Sequence, residues 1–560
     1  MYKNRLFKSI YAKIDSFLIL SLLTGLIFCV YGITWGQVES WNGDDMSFEF
    51  FGSLKNIFHS PAWFLKPPFH GYFNFFLCYA PLRLIEFIFN LPKNSLASGF
   101  IALIWSRTLT ILLFLGSIAL IFQITKRFFG VFAARVITLV FATSAGFIAY
   151  SHFLTTDIPV MFWMLLAFYF SQNISFTGKS FDYILAGFFT GIATATKYNA
   201  LAIGITIVVA HALSFNQLAW KKILLSKKLF VGLIMILLGF LFANPFALLN
   251  YPTFLSDFWY NYVTTPIYNG KVTGHSYWKF FRCFQELIGL PSLIIFSIAF
   301  LVSLYLTFIK KDKHFYIKPI FLLLSVFLLY YYKFGSFPRL EVRFVLPILP
   351  FWLMISGPFW NKVKPNRMLV LSLLIILMGY NTVSSFYVGK RFLEDPRMLA
   401  QNWVQKNIPE FSSIESTLYT PNWNILPKVK LKDERFPTIL GRKKMFENIF
   451  KDNLFMLRLI QMHEGKVENL NWYTLEALIK RKPEYIAINS LYFGRFLNKN
   501  NKEILYPEIN IFFNNLIQEK YPYEIVFDRE SNKPPSWIYP EYIDTLPNRI
   551  IIFARKGLRE

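Results

Sequence analysis

WGQVESWNGDDMSFEFFGSLKNIFHSPAWFLKPPFHGY, residues 35–72, follows the first long apolar run of the chain. It gathers the acids Glu39, Asp44, Asp45 and Glu49, and then places Lys66 before Pro67 and Pro68. Adjacent carboxylates just past an apolar run, followed by a lysine held by two prolines, are unusual in a connecting loop. The stretch reads as the floor of a functional site around which the apolar runs are arranged.

Those runs decide the class. Of the 560 residues, 54% are hydrophobic and 19% aromatic, above the roughly 45–50% apolar content of soluble domains. Apolar runs recur to about residue 387, the pattern of a polytopic α-helical membrane protein. The first run, 16–34, is long for a signal core and no small-x-small cleavage site follows it, so it reads as a retained span. Cys29, Cys78 and Cys283 are odd in number and lie in or near apolar segments. They offer neither a disulfide framework nor a metal-ligand spacing. The net charge of +25 could suggest a nucleic-acid partner. The cations lie largely in short loops between apolar runs, where they set topology instead.

Lys3, Arg5, Lys8 and Lys13 place the N-terminus inside. The first span then exits, and loop 35–68 is outside. Residues 69–91 are interrupted by Pro81, Arg83 and Glu86. A crossing there would deliver Lys126 and Arg127 to the outside, so the segment is expected as an interfacial helix. Further spans are expected at 100–124, 131–150 and 158–175. The stretch 183–215 reads as two short spans broken at Lys197, with the lysine at the outer turn. The remaining spans are 229–247, 287–309, 316–333, 345–360 and 368–387. Eleven spans leave residues 388–560 outside. The chain thus divides into a transmembrane catalytic part, 1–387, and an extracytoplasmic part, 388–560. In the latter, the strand-like runs 485–489, 523–527 and 549–553, and a helix-like run at 398–407 after Pro396, indicate a small α/β domain. No internal repeat is visible, which argues against a secondary transporter.

Two acid sites and four cations could carry chemistry. Asp44 and Asp45 are either a base or metal ligands, or a loop or cap feature. Glu49, four residues after Asp45, reads as solvated. Asp157, in SHFLTTDIPVMFW (151–163), reads most simply as the N-cap of the next span, with Pro159 at an early helical position. It also lies on the membrane face of Asp44, where an acid is often functional. Lys66, Lys197, Arg339 and Arg343 fall in outer segments that carry little other positive charge. Each alone could be a snorkelling cation. Together they could hold a phosphate beside a carboxylate base. No HExxH, Ser-His-Asp order, P-loop or GxGxxG is present, so a soluble nucleotide donor finds no cradle.

GDD (43–45), KPPF (66–69), TTDIPVMFW (155–163), GIATATKYNALAIG (191–204), RFVLPILPF (343–351) and DPRMLAQNWVQKNIP (395–409) occur in this order. In that order and spacing the sequence resembles the GT-C fold of polyprenyl-phosphate-sugar-dependent glycosyltransferases. It is similar in pattern to the protein O-mannosyltransferases and bacterial aminoarabinose transferases of family 39. The family's first-loop pair is commonly Asp-Glu, whereas here it is Asp44-Asp45. KPPF looks closer to the lipid A-modifying branch, and no MIR-type insertion is visible.

The resemblance implies an inverting transferase in the bacterial inner membrane, with its C-terminal domain in the periplasm. A polyprenyl-phosphate-linked sugar would be the donor, and a hydroxyl of a lipid, glycan or protein the acceptor. Asp44, with Asp45 beside it, would supply the base, and Asp157 would orient the acceptor or hold the first loop. Lys66, Lys197, Arg339 and Arg343 would hold the donor phosphate. No cofactor is required, and a divalent ion between Asp44, Asp45 and Asp157 is an optional addition. The alternative from another class is a transporter or flippase of lipid-linked sugars, which would need the same phosphate site but has less use for a long acidic loop and an outer domain. A structural assembly subunit would leave the acids and cations unexplained.

Overall fold

The computed structural model describes residues 15–36, 72–90, 96–215, 225–267, 274–310, 316–425, 430–437, 442–463, 470–497, 506–531, 535, 537–538 and 549–557. Asp44, Asp45 and Lys66, and most of the first loop, lie outside the described residues.

Asp15 starts the first helix, α1 (Ser16–Val30), by accepting the Phe17 amide, and it also pairs with Arg135 at 2.9 Å. Then come α2 (Tyr72–Ile88), α3 (Leu96–Phe129), α4 (Val131–Ala142), α5 (Ala145–Tyr150), α6 (Asp157–Thr177) and α7 (Ser180–Thr196). A 3-10 turn at Tyr198–Gly204 leads into α8 (Ile205–Leu213). The series continues with α9 (Lys227–Ala243), α10 (Tyr251–Thr264), α11 (Tyr277–Ile288), α12 (Leu290–Leu304) and α13 (Ile317–Gly335). A broken helix, α14 (Val342–Val363), and the long α15 (Arg367–Leu393) complete the bundle. Among the described residues, six helices are long and apolar enough to cross a membrane, and three shorter apolar helices accompany them. The chain is therefore a mostly helical, polytopic membrane protein.

Backbone breaks in the bundle have local causes. The expected single span 131–150 is divided at Thr143–Ser144 into α4 and α5. Polar groups of α15 take up what the break frees. Ser385 donates to the Thr143 carbonyl at 2.8 Å and Asn381 to the Thr143 hydroxyl at 3.3 Å, as backbone at membrane depth requires. In α14, Pro347, Pro350 and Pro358 interrupt the ladder, and a 3-10 turn covers 346–348. Helices α7 and α9 cross at backbone contact. A Cβ on Gly187 would collide with the Gly232 carbonyl oxygen, and one on Gly239 with that of Phe188. Small residues at such crossings are the usual way membrane helices approach closely.

At one end of the bundle Arg127 donates to Asn173 near the close of α6, Lys228 donates to the Gly178 carbonyl at 2.7 Å, and Arg135 meets Asp15. At the other end the C-terminal domain emerges from α15.

That domain begins with α16 (Pro396–Asn407), with Asp395 as N-cap and Pro396 in the first turn. Its five strands are β1 (Ser413–Ser416), β2 (Lys432–Arg435), β3 (Tyr485–Asn489), β4 (Tyr523–Glu530) and β5 (Arg549–Arg555), in the order β2-β1-β3-β5-β4. β1 runs parallel to β2 and β3, whereas β5 pairs antiparallel with β3 and β4. The expected strands are all found, but β1 (SIES) and β2 (KDER) were not expected, because neither carries an apolar run. β3 is buried throughout, and its side chains alternate between two cores. Ile486 and Ile488 join Phe512 and Phe513, while Tyr485 and Ala487 join Ala400 and Val404 of α16. This is the period of two expected of a strand covered on both faces. Beside the core, Glu415 pairs with Arg481 at 2.6 Å. Burial outweighs that guanidinium and holds the Glu415 carboxyl above its ordinary range. The domain also rests on the bundle. Tyr260 of α10 packs into Phe446, Met456, Leu459 and Ile460, and the Tyr380 hydroxyl of α15 donates to the Trp537 carbonyl at 2.7 Å.

Candidate active site

The helix beginning at Asp157 has Thr156 as its N-cap, with no side-chain cap bond. Asp157 is therefore the first helical residue, not the cap that its sequence context suggests. Its carboxylate is used elsewhere: Oδ1 accepts from Lys197 Nζ at 2.6 Å, and Oδ2 accepts from the Thr155 hydroxyl at 3.1 Å. Both side chains are largely withdrawn from solvent, at 5% exposure for Asp157 and 18% for Lys197.

Lys197 reaches this position because α7 stops there. It is the C-cap residue in an extended conformation, and the following 3-10 turn is pinned by the Tyr330 hydroxyl donating to the Asn199 carbonyl at 2.9 Å. The expected break at Lys197 is thus found. A second tie comes from α2. Asn74 donates to the Thr196 hydroxyl at 3.2 Å and accepts from the Trp163 indole at 3.1 Å, which fixes α2 against α6 and α7 beside the Lys197 turn.

The loop after α13 brings in the other cations. Arg343 Nε donates to Glu341 Oε2 at 2.7 Å, and Arg339 donates to the other oxygen of the same carboxylate. Phe344 lies at the centre of the group. Its ring centroid is 5.6 Å from Lys197 Nζ, 5.7 Å from the Arg343 guanidinium carbon and 5.9 Å from that of Arg339. Phe334 stacks on it at 5.8 Å and keeps it in place. Three cations from two distant segments therefore share one aromatic platform, with Asp157 beside them. Each gains from the ring's quadrupole, and together they form a surface suited to a phosphate. An open apolar groove of about 430 Å3, lined by Tyr198, Leu201, Leu233, Leu237 and Phe240 among others, begins at the residue after Lys197.

A second, buried cluster ties the start of the first loop to the C-terminal domain. Trp35 is fully buried, and its indole donates to Asp395 Oδ2 at 2.8 Å. Asp395 also accepts the Arg397 amide as N-cap and pairs with the Arg397 guanidinium at 2.7 Å, both side chains having no exposure. The guanidiniums of Arg107 and Arg397 lie 5.1 and 5.5 Å from the indole, and Arg107 donates to the Ile33 and Trp35 carbonyls. Phe153, in the turn that leads to Asp157, meets Trp35 edge-on at 5.6 Å. The acid-and-cation site, the start of the first loop and the first helix of the C-terminal domain are thus at one end of the bundle.

Of the expected site residues, the structure brings together Asp157, Lys197, Arg339 and Arg343. Sequence reading missed Glu341 and Phe344 within the same PRLEVRF segment. The signal for Glu341 was its place between two arginines, whereas nothing in the sequence marks a platform aromatic among so many. Among the described residues, no group of three His, Cys, Asp or Glu side chains is placed to hold a metal. Both oxygens of Asp157 are already engaged.

Residues 96–243 match the sequence profile of a family described as dolichyl-phosphate-mannose-protein mannosyltransferase. No curated protein sequence matches the chain. Among solved structures, ArnT from Cupriavidus metallidurans in the apo state is similar at a TM-score of 0.50 with 13% identity, over 96% of this chain and 97% of that one. ArnT bound to undecaprenyl phosphate aligns at 0.48 with 12% identity, over 96% and 97%. The Archaeoglobus fulgidus oligosaccharyltransferase AglB, in complex with an inhibitory peptide and a dolichol-phosphate, aligns at 0.47 with 11% identity, over 96% and 88%. The matched profile runs from the start of α3, through Asp157 and Lys197, to the end of α9. The chain as a whole has the GT-C fold that ArnT displays.

Proposed function

We propose that the chain is an inverting glycosyltransferase that moves a sugar from a polyprenyl-phosphate carrier to an acceptor hydroxyl at the outer face of a bacterial inner membrane. The observation that carries this reading is the convergence of Lys197, Arg339 and Arg343 on Phe344, beside Asp157. The family profile over 96–243 supports it, since its description names a lipid-phosphate sugar. In the reaction, the acceptor oxygen attacks the anomeric carbon while Asp44 takes the hydroxyl proton. The bond from that carbon to the phosphate oxygen breaks, and the electron pair leaves with the lipid phosphate. That leaving group needs charge stabilisation, not a proton, and Lys66, Lys197, Arg339 and Arg343 supply it. Asp157 holds Lys197 in place and faces the acceptor side, with Asp45 next to the base. The open apolar groove that begins at Tyr198 would accommodate part of the carrier chain. Eleven spans put residues 388–560 in the periplasm, and α2 lies in the interface. No cofactor is required, and a divalent ion at Asp44, Asp45 and Asp157 is an optional addition.

The test is Asp44→Asn. Asn keeps the size and caps as well as Asp, but cannot take a proton at neutral pH. Transfer is expected to fall by about 10²–10⁴-fold, with membrane yield and lipid-phosphate binding retained. Asp45→Asn is expected to lose less, and Asp157→Asn an intermediate amount. Near-normal turnover in all three variants would remove the base from these acids, whereas absence of transfer by the wild-type chain would remove the enzymatic reading and favour a transporter of lipid-linked sugars.

A further inference from the structure

We propose that Glu341 is a displaceable internal counter-anion, which occupies the Arg339–Arg343 pair when no donor is bound and yields to the donor phosphate. The inference rests on the phosphate-binding reading above and adds a residue which that reading does not use.

The two carboxylates near Phe344 are held differently. Asp157 is 5% exposed, and its two oxygens are fixed by Lys197 and by Thr155 two residues away. It is part of the frame. Glu341 is 33% exposed, with its two oxygens on Arg339 and Arg343. It stands at the N-cap position of the turn Val342–Val345, yet its side chain makes no cap bond and folds across the two arginines instead. A glutamate side chain with three rotatable bonds can leave this place for solvent without uncovering a core. Arg339 is only 11% exposed and Arg343 31%. Both guanidiniums also lie over the Phe344 ring, at 5.9 and 5.7 Å, and that contact keeps the arginines near the platform when the carboxylate leaves.

Carboxylate and phosphate are the two anions that a guanidinium fork binds in the same bidentate way. A fork turned to Glu341 is not fully available to a phosphate. Glu341 thus keeps the two cations oriented in the empty site, and donor binding exchanges one anion for another. After transfer, the carboxylate competes with the lipid phosphate product and helps it leave. The ligand class is a phosphate carried on a lipid chain, and the shared chemistry with free phosphate is separated in the test.

The experiment uses the intact protein in nanodiscs, with undecaprenyl phosphate as probe and inorganic phosphate as competitor. Binding is measured for wild type, Glu341→Gln, Glu341→Asp and Arg343→Ala. Gln keeps the shape and removes the charge, so Glu341→Gln is expected to bind the probe about tenfold more tightly. Glu341→Asp keeps the charge with a shorter reach and is expected to fall between. Arg343→Ala is expected to weaken binding. In turnover assays, Glu341→Gln should lower the donor KM and kcat together, because product leaves more slowly. A carboxylate that merely props the arginines would give the opposite sign, with weaker binding and a raised KM. Unchanged or weaker binding in Glu341→Gln, with Arg343→Ala still impaired, would overturn this inference and leave the function standing. Wild-type binding in Arg343→Ala would overturn both. Displacement by millimolar inorganic phosphate without any contribution from the lipid would assign the site to free phosphate and overturn the lipid-carrier form of the proposal.

Discussion

At Arg343 the electrostatics of the site become testable in one residue. Its guanidinium faces Phe344 at 5.7 Å and shares Glu341 with Arg339. On the proposed assignment, Arg343→Ala removes a charge-assisted contact to the donor phosphate worth about 1.5–3 kcal/mol, or roughly ten- to a hundredfold in apparent donor affinity. Arg343→Lys keeps the charge without the planar fork and should recover only part of it. Donor titration in a reconstituted assay checks both, and unchanged dependence on donor concentration would remove Arg343 from the phosphate site. Single charged residues such as Asp157, Lys197, Arg339 and Arg343 were legible in the sequence, because a charge in an apolar chain stands out. What Asp157 touches was not. Its context suggested a helix cap, whereas Lys197, forty positions later, claims the carboxylate. Phe344 was illegible for a similar reason: its role depends on which side chains packing brings within reach of its ring.

Among the elements, α16 and the end of α1 meet over the Trp35, Asp395 and Arg397 cluster. One carboxylate there caps a helix, pairs with a guanidinium and accepts an indole N–H. Removing one partner of a fully buried pair costs about 3–5 kcal/mol, so Asp395→Asn should lower thermal stability sharply. Trp35→Phe, which loses the N–H but keeps an aromatic ring, should do so less. Thermal unfolding in detergent with a fluorescent thiol or tryptophan readout checks the order, and equal stability of Asp395→Asn and wild type would contradict the cluster's role. The break at Lys197 was readable from a charge within an apolar run, and α16 from its run at 398–407, although the helix begins two residues earlier, at Pro396. The division of 131–150 was not, since it is sustained by Ser385 and Asn381 on a distant helix. β1 and β2 escaped because short polar strands carry no periodic apolar signal, even where, like β1, they lie inside the sheet.

For the molecule as a whole, acids and cations of the site collect at the end that bears the C-terminal domain. The contacts of Arg127, Lys228 and Arg135 collect at the other. On the proposed orientation, the end that bears the C-terminal domain faces outward. A cysteine introduced near residue 500 should therefore be labelled by an impermeant thiol reagent in intact spheroplasts. Labelling only after lysis would invert the topology. The central claim, sugar transfer from a polyprenyl phosphate at this end, meets its most direct test in the lipid-linked sugars of a strain that lacks the chain. One polyprenyl-phosphate sugar is expected to accumulate, to return to its normal level with the wild-type chain, and to stay high with Asp44→Asn or Arg343→Ala. An unchanged lipid-linked sugar profile in the strain without the chain would contradict the account.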